Sequence, residues 1–230
     1  MKKTVYILRL SITLCLAFLL QGDVGAVTWQ DEFDLETQEN WQLRGDDSTW
    51  RTEYGFLRAK INTKKQWTTM FEVFEYINHV GEFSNITIKA ENIGASGDIK
   101  FGLVIGKRFL NDDGELEETG YYLFLTNDMQ ALRDGKVFLG TGRRWHTDVL
   151  YQMTLHFNEG RFQFSGNDES RMDFIDANLK TIDFFGFVLT GYVTDMPNTG
   201  EGYVERVTIS GLPVTAKDKL ATTWGQLKQD

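Results

Sequence analysis

Residues 153–165 of the chain read MTLHFNEGRFQFS, and this short stretch indicates the fold of the whole sequence. Its first five residues alternate between apolar and polar side chains, which places Met153, Leu155 and Phe157 on one face of a sheet and His156 on the other. Asn158-Glu159-Gly160 then interrupts the alternation, and Asn and Gly accept the positive φ that tight hairpin turns require. The stretch therefore predicts an antiparallel hairpin with one buried face.

Similar short runs, each ended by Gly, Asn or Asp, recur along the chain. Ile86–Ala90 alternates in the same way, and Arg133–Lys136 is a second hairpin signal. The predicted strands are Phe56–Ile61, Thr68–Ile77, Phe83–Ile93, Lys100–Lys107, Tyr121–Thr126, Lys136–Gly140, Leu150–Phe157, Arg161–Ser165, Phe184–Thr190 and Tyr203–Ser210. Only Ile175–Lys180 and the segment after Pro213 carry a helical pattern. So many short strands predict an all-β fold of two antiparallel sheets packed face to face.

The composition excludes several classes of protein. The chain has 230 residues, with 24 Lys and Arg against 33 Asp and Glu, and its formal charge is -9. That acidic balance disfavours nucleic acids and anionic membranes as partners, because both attract basic surfaces. With 22 Gly and only 2 Pro, and without a Pro-rich linker, we expect a single domain whose turns are made by Gly, Asn and Asp.

The first 26 residues have the features of a secretory signal peptide. Lys2 and Lys3 precede an apolar run, Val5–Leu20, and Val24-Gly25-Ala26 supplies small residues at the cleavage position. A membrane-spanning helix needs about 20 apolar residues, more than this segment offers. We therefore expect a secreted or periplasmic protein with no transmembrane anchor once the signal is removed. The sole cysteine, Cys15, lies within the signal, so the mature chain cannot form a disulfide.

The rest of the chain divides into a domain, residues 27–211, and a tail, residues 212–230. In the tail, Leu220, Trp224 and Leu227 fall at helical spacing. This pattern indicates either a short amphipathic helix or a flexible end.

Both ends of the domain carry motifs with a family resemblance. The opening segment VTWQDEF (27–33), then Trp41 and WRTEYGFL (50–57), and the closing segment GYVERVTI (202–209) resemble the concanavalin A-like lectins and glucanases, with the related laminin G-like domains. The resemblance implies a two-sheet antiparallel jelly-roll sandwich in which the closing strand pairs beside the opening strand. It also implies one concave sheet face that binds a polysaccharide chain.

The opening segment contains the carboxylates of a catalytic alternative. Glu32, Asp34 and Glu36 have the Glu-x-Asp-x-Glu spacing with which retaining glucanases of this superfamily hold a nucleophile and an acid about 5 Å apart. In those glucanases the catalytic strand lies in the middle of the domain, whereas here the carboxylates belong to the opening strand. We therefore expect no catalytic residues, and a glycoside hydrolase that uses these three carboxylates is the alternative.

Carbohydrate binding without cleavage is the predicted function. Sugar rings present apolar faces surrounded by hydroxyl groups, so their sites combine aromatic platforms with planar polar groups. The predicted ligand-binding residues are Trp67, Tyr122, Asn127, Arg143, Trp145 and Tyr192. The expected partner is a polysaccharide or a glycoconjugate. A laminin G-like interaction module that binds an extracellular protein is a further alternative.

The resemblance further implies a structural calcium ion where the first and last strands meet. By position, the corresponding residues in this chain are Glu32, Gly45 and Glu205. Calcium accepts oxygen ligands in flexible geometry, so Glu205 in place of the commoner Asp does not exclude the site. Calcium is the one cofactor that this sequence suggests.

Overall fold

A computed structural model of the chain describes residues 27–34, 38–45, 48–61, 71–79, 81–125, 129–134, 136–140, 149–167, 170–191 and 199–212. All of these except Val27 belong to one unit, Thr28–Leu212. The described residues form sixteen β-strands and one short 3-10 helix, Gln38–Asn40. The strands are β1 (Val27–Asp31), β2 (Trp41–Arg44), β3 (Ser48–Glu53), β4 (Phe56–Ile61), β5 (Glu72–Tyr76), β6 (Asn85–Gly97), β7 (Ile99–Leu110), β8 (Leu116–Leu125), β9 (Met129–Arg133), β10 (Lys136–Gly140), β11 (Tyr151–Asn158), β12 (Arg161–Gly166), β13 (Ser170–Ile175), β14 (Phe184–Gly191), β15 (Gly200–Val204) and β16 (Arg206–Leu212).

The strands form two antiparallel sheets that pack as a sandwich, which confirms the predicted all-β jelly-roll architecture. In the nine-stranded sheet the order is β13-β12-β11-β6-β15-β4-β3, while β16 pairs with β6 and with β1. In the seven-stranded sheet the order is β10-β9-β8-β7-β14-β5-β2. The inner faces of both sheets supply the main hydrophobic core.

Within the described ranges, no helix has the length and apolar character needed to cross a membrane.

The hairpin predicted from residues 153–165 is present as β11 and β12. Asn158 pairs with Arg161, and Glu159 and Gly160 both have positive φ, 46° and 91°. These angles fit a tight two-residue hairpin turn. Met153 is fully buried, as are Leu155 and Phe157. The predicted division between the two faces of this strand is therefore confirmed, with the neighbouring His156 exposed.

The predicted closing strand, Tyr203–Ser210, is divided into β15 and β16 at Glu205. At the same level β6 changes partner, because Gly94 pairs with β15 whereas Glu91 pairs with β16. Between these two residues Asn92 has a φ of 52°, and its side-chain amide donates a hydrogen bond to the Glu205 carboxylate. Asn tolerates this left-handed conformation better than most residues. The bend is thus built into β6, and the sequence pattern gave no sign of it.

The helical pattern of Ile175–Lys180 is wrong as a prediction. Ile175 is the last residue of β13, and the following residues form a turn. The Asp176 side chain accepts a hydrogen bond of 3.0 Å from the backbone N–H of Asn178. A short polar side chain that bonds the backbone in this way competes with helix formation. The tail after Leu212, for which a helix was the other expectation, lies outside the described residues.

The opening motif connects the two sheets through a buried carboxylate. Asp31, at the end of β1 in the nine-stranded sheet, is only 1% exposed. It accepts a 2.7 Å hydrogen bond from the indole Nε1–H of Trp41, the first residue of β2 in the seven-stranded sheet. It also accepts a 2.6 Å hydrogen bond from the backbone N–H of Phe33, whose φ is 53°. In the Asp-Glu-Phe sequence the aspartate therefore fixes the backbone two residues further on.

Four charged residues, which we call the Arg–Glu cluster, connect the strands on the outer face of the seven-stranded sheet. Arg44 Nε on β2 lies 2.8 Å from Glu75 Oε2 on β5, and Arg108 on β7 contacts the same carboxylate. Glu118 on β8 accepts hydrogen bonds from both arginines, with Arg108 Nε at 3.0 Å. Both guanidinium groups lie over the ring of Phe184 on β14, at 5.0 Å and 4.9 Å from its centroid.

The contact between Arg44 and Glu118 requires this face to be concave. Their strands, β2 and β8, are separated by β5, β14 and β7. In a flat sheet these four strand spacings amount to about 19 Å, more than the two side chains span. The outer face of the seven-stranded sheet must therefore curve inward, so that the two side chains meet across it.

Glu118 keeps its charge to unusually low pH because of this cluster. Burial by itself would raise the pKa of Glu118, but the hydrogen bonds and positive charges of Arg44 and Arg108 outweigh it and hold the pKa below its ordinary value. The folded state therefore favours the ionised carboxylate.

Replacing Asp31 with Ala is expected to lower the free energy of unfolding by about 2–4 kcal/mol. The indole N–H of Trp41 and the backbone N–H of Phe33 would then be buried without their acceptor. Urea denaturation measures the effect. The matched control is Asp112→Ala at the exposed β7–β8 turn, for which a change within about 0.5 kcal/mol is expected. Equal losses in the two variants would contradict the structural role of Asp31.

Replacing Glu118 with Gln is expected to cost about 1 kcal/mol of stability at pH 7, since the carboxylate is part of a partly exposed ion-pair network. A carboxylate with a lowered folded pKa contributes this stability above its unfolded pKa of about 4.3, and the contribution is lost as pH falls through the folded value. The difference between wild type and E118Q should therefore shrink below about pH 4. Thermal unfolding from pH 7 to pH 3 tests this, with the exposed neighbour Glu117→Gln as control. A pH-independent difference would disprove the assignment.

Candidate functional site: a groove on the concave sheet face

A groove of about 440 Å³ lies on the concave outer face of the seven-stranded sheet. Its described lining comes from β7, β8, β14, the start of β10 and the residues beside β5 and β9. The lining residues are Phe71, Val104, Glu118, Thr119, Gly120, Tyr122, Asp134, Lys136 and Phe184. The volume is within the usual range for small-molecule sites, about 300–1,000 Å³.

Two glycines face each other on adjacent strands at the groove. Gly106 of β7 pairs directly with Gly120 of β8. A Cβ atom added to Gly120 would lie 2.4 Å from the carbonyl oxygen of Ile105, closer than real Cβ atoms come. The curvature of the sheet thus admits only glycine at this position. A Cβ atom added to Gly106 would meet the ring of Phe184 at 2.5 Å, so that ring covers Gly106, and of the two glycines only Gly120 lines the groove.

An aromatic pair forms one wall of the groove. The rings of Phe71 and Tyr122 stack with centroids 4.2 Å apart and an interplanar angle of 12°. They pack against a second apolar cluster on this face. The members of that cluster are Val73, Val104, Phe124, Leu132, Phe184 and Val188. Burial raises the pKa of Tyr122, so its phenol stays protonated at neutral pH and can both donate and accept a hydrogen bond.

The opposite side of the groove is polar. The Asp134 carboxylate accepts hydrogen bonds from the Gly120 N–H at 2.9 Å and from the Thr119 hydroxyl at 3.1 Å. Arg133 Nε also lies 3.0 Å from its second oxygen. Lys136 is exposed, with no ion pair among the residues that the structure describes. An apolar ring face therefore lies beside a negatively charged acceptor, Asp134, and a positively charged donor, Lys136. This arrangement suits a ligand with apolar faces and many hydroxyls.

Only one of the predicted ligand-binding residues can be placed. Tyr122 lies in the wall of the groove, and its role in binding stays a prediction. The other predicted positions lie outside the described residues. They are Trp67, Asn127, Arg143, Trp145 and Tyr192.

Several groove residues were not predicted. Asp134 is part of the Asp-Gly turn that the sequence did indicate, and Lys136 follows that turn, but their proximity to Tyr122 depends on the pairing of β8, β9 and β10. Phe71 precedes β5, whereas Tyr122 is on β8, and β7 and β14 lie between these two strands. The contact of the two rings therefore depends on the sheet order and curvature. The Asp-Gly turn could have indicated Asp134 and Lys136, but only if the order of the strands in the sheet had been known.

The carboxylates of the catalytic alternative follow the opening strand. β1 ends at Asp31, and the positive φ of Phe33 breaks the alternation that a catalytic strand would need. Glu32 is exposed, accepts a 3.0 Å hydrogen bond from the Gln30 amide and lies 3.2 Å from Arg206 Nη2. Asp34 is also exposed, and Glu36 lies outside the described residues.

The three predicted calcium ligands have different neighbours. Glu32 is paired with Arg206, and Glu205 accepts the Asn92 amide hydrogen bond. Gly45 lies against the Glu72 carboxylate, which a Cβ atom on Gly45 would meet at 1.9 Å. Among the described residues no group of three His, Cys, Asp or Glu could hold a metal ion. The calcium site stays a prediction.

The Arg206 guanidinium provides positive charge where the first and last strands meet. It lies 3.2 Å from Glu32, just after β1, and 3.1 Å from Glu91 on β6. Lys89 is also bonded to the Glu91 carboxylate, at 2.5 Å. Side chains of this protein thus neutralise the carboxylates at this position.

No family model and no curated protein matches the chain. Among solved structures, it is similar to a protein of unknown function with a galectin-like fold from Bacillus subtilis, with a TM-score of 0.58 and 11% identity over 83% of this chain and 98% of that chain. It is also similar to the exoplasmic/lumenal domain of VIP36 in its Ca2+/Man-bound form, with a TM-score of 0.51 and 11% identity over 82% and 91% of the two chains.

A third similar structure is the metal-free carbohydrate recognition domain of Emp46p, with a TM-score of 0.51 and 10% identity over 79% of this chain and 94% of that domain. At such low identities the similarity shows the fold alone. The chain has the jelly-roll sandwich fold of galectin-like and lectin-like domains.

Proposed function

We propose that this protein binds a carbohydrate or glycoconjugate in the groove and does not cleave it. The observation that carries the proposal is the stacked pair Phe71 and Tyr122, which lines the same groove as Asp134 and Lys136. An apolar sugar face would lie against the aromatic wall, where dispersion and C–H contacts are favourable. The sugar hydroxyls would meet the carboxylate, the ammonium and the phenol.

The charge state of the groove supports binding without hydrolysis. A glycosidase needs a carboxylic acid that remains protonated, which requires a raised pKa. The pKa of Glu118 is instead lowered, because two arginines stabilise its ionised form. Asp134, the other described carboxylate of the groove, accepts hydrogen bonds from Gly120 and Thr119. Both carboxylates are therefore better suited to accept hydrogen bonds than to donate a catalytic proton.

The proteins of similar fold and the amino-terminal sequence support a binding function outside the cytoplasm. The similar structures include a carbohydrate recognition domain and an exoplasmic/lumenal domain with mannose bound. The amino-terminal signal pattern of this chain favours export. We therefore place the binding activity in the periplasm or outside the cell, with the laminin G-like protein-interaction module as the alternative.

Replacing Tyr122 with Ala is expected to weaken sugar binding at least about tenfold, which corresponds to about 1.4 kcal/mol. Ligands are first identified on a glycan array, and affinities are then measured by titration calorimetry. Tyr122→Phe, which keeps the ring, should retain most of the affinity if stacking dominates. The control is Tyr54→Ala, which removes a Tyr that is 86% exposed at the β3–β4 turn, away from the groove.

Circular dichroism must show the native spectrum for each variant before affinities are compared. An array without any bound glycan would contradict the proposal and favour the protein-interaction module. Equal loss of affinity in Tyr122→Ala and Tyr54→Ala would also contradict it, because the groove would then have no special role.

The purified protein is expected to release no reducing sugar from β-glucans, galactans or other polysaccharides that it binds. The pKa of Glu118 is lowered, which makes it unsuited to be the acid, and the Asp134 carboxylate already accepts hydrogen bonds from Gly120 and Thr119. A reducing-end assay with the bound polysaccharide measures this. Release that is abolished by Glu32→Gln, but retained in the control Glu117→Gln, would establish the glycoside hydrolase alternative instead.

A further inference from the structure

A second cavity, the aromatic cleft, lies at the side of the sandwich where β2 and β3 end the two sheets. Its volume is about 130 Å³. The described lining residues are Phe33, Trp41, Trp50, Arg51, Thr52, Leu57 and Phe74. Phe74 stacks with Trp41 at an interplanar angle of 3° and with Trp50 at 12°, with centroids 5.4 Å and 5.0 Å apart. The cleft is thus walled largely by aromatic rings.

The indole nitrogens of both tryptophans are already bonded within the protein. Trp41 Nε1–H donates to buried Asp31, as described above. Trp50 Nε1–H donates to the Ser48 hydroxyl at 2.7 Å, and that hydroxyl lies 3.1 Å from the buried carboxylate of Glu72. An indole has only one polar hydrogen. The two tryptophans therefore offer only apolar surface to the cleft.

The charged residue of the cleft is compensated by its neighbours. Arg51 Nη2 lies 3.1 Å from Glu53 Oε2 and 3.5 Å from Glu201 Oε1. Leu57 and Phe33, on the other walls, belong to the main hydrophobic core. A polar ligand could bond side chains only on the side of Arg51 and Thr52, and its polar groups on every other side would lose their hydration without a side-chain partner.

We propose that the aromatic cleft binds a small apolar molecule, an aromatic or cycloaliphatic ring of about six to eight non-hydrogen atoms. An apolar cavity of about 150 Å³ is known to stay dry and to bind benzene, because a water molecule needs two to four polar partners. The cleft has a comparable volume, and its wall is apolar except on the side of Arg51 and Thr52. This site is distinct from the groove and does not depend on the proposed sugar binding.

The walls are held in place without a ligand. Their hydrogen bonds connect the two indoles to the buried carboxylates of Asp31 and Glu72, so neither ring can turn inward without breaking a buried bond. A cavity with rigid walls cannot relax to fill its own space. The cleft is therefore organised before binding, which reduces the ordering cost of association.

Benzene and pyrazine, two rings of the same shape, test the proposal on the full protein. At ten times its dissociation constant, benzene is expected to raise the melting temperature by about 3–6 °C. Pyrazine should bind at least about tenfold more weakly, because its nitrogens lie on opposite sides of the ring and the one turned away from Arg51 would be buried without a donor. Titration of the intrinsic tryptophan fluorescence with benzene gives the dissociation constant.

A mutation at the cleft and one on the same strand outside it complete the experiment. Thr52→Trp, which fills the mouth of the cleft, should abolish the benzene effect. Thr49→Trp, on the opposite face of β3, should leave it unchanged. Should Thr52→Trp fail to fold, xenon-pressurised crystals of the wild type decide, with density expected between Trp50 and Leu57. Absence of saturable benzene binding, equal binding of pyrazine, or xenon elsewhere in the protein would overturn the proposal.

Discussion

The hydrogen bond from the Trp41 indole to the Asp31 carboxylate connects the two sheets at the point where the domain begins. One residue ends β1 of the nine-stranded sheet, and the other starts β2 of the seven-stranded sheet. The same carboxylate accepts the backbone N–H of Phe33, whose φ is positive. Because a buried carboxylate is costly unless its oxygens are bonded, this arrangement strongly favours one geometry of the segment after β1. The aromatic cleft borders this junction, and Trp41 and Phe33 form part of its walls.

On the outer face of the seven-stranded sheet, the curvature of the sheet decides which side chains meet. Arg44 can reach Glu118 only because the sheet bends inward, and the same crowding admits only glycine at Gly120. The result is a concave face with a groove between the Phe71–Tyr122 wall and the polar side at Asp134. Glu118 belongs both to this groove and to the Arg–Glu cluster, where Arg44 and Arg108 compensate its charge. The groove thus combines exposed ionic groups with an apolar platform.

The prediction from sequence was most successful where the signal was local. The hairpin at Asn158-Glu159-Gly160 and the alternation from Met153 to Phe157 depend on neighbouring residues, and both were confirmed. The helix over Ile175–Lys180 was wrong because Asp176 bonds the backbone two residues on, a competition that an apolar pattern does not reveal. The break at Glu205 was missed because it depends on Asn92, which is 113 residues away. Of the candidate site, Tyr122 could be named in advance, whereas Phe71, Asp134 and Lys136 could not.

The sequence by itself determined the all-β class, the turns and the buried face of individual strands, because these depend on side chains within a few residues of each other. It also supplied the opening and closing motifs, whose order along the chain resembles the lectin and glucanase superfamily. Only the tertiary structure decided which residues share the groove, since Phe71, Tyr122 and Asp134 come together through strand order and sheet curvature. It likewise decided that Asp31 is a buried bridge between sheets, while its neighbour Glu32 lies exposed beside Arg206.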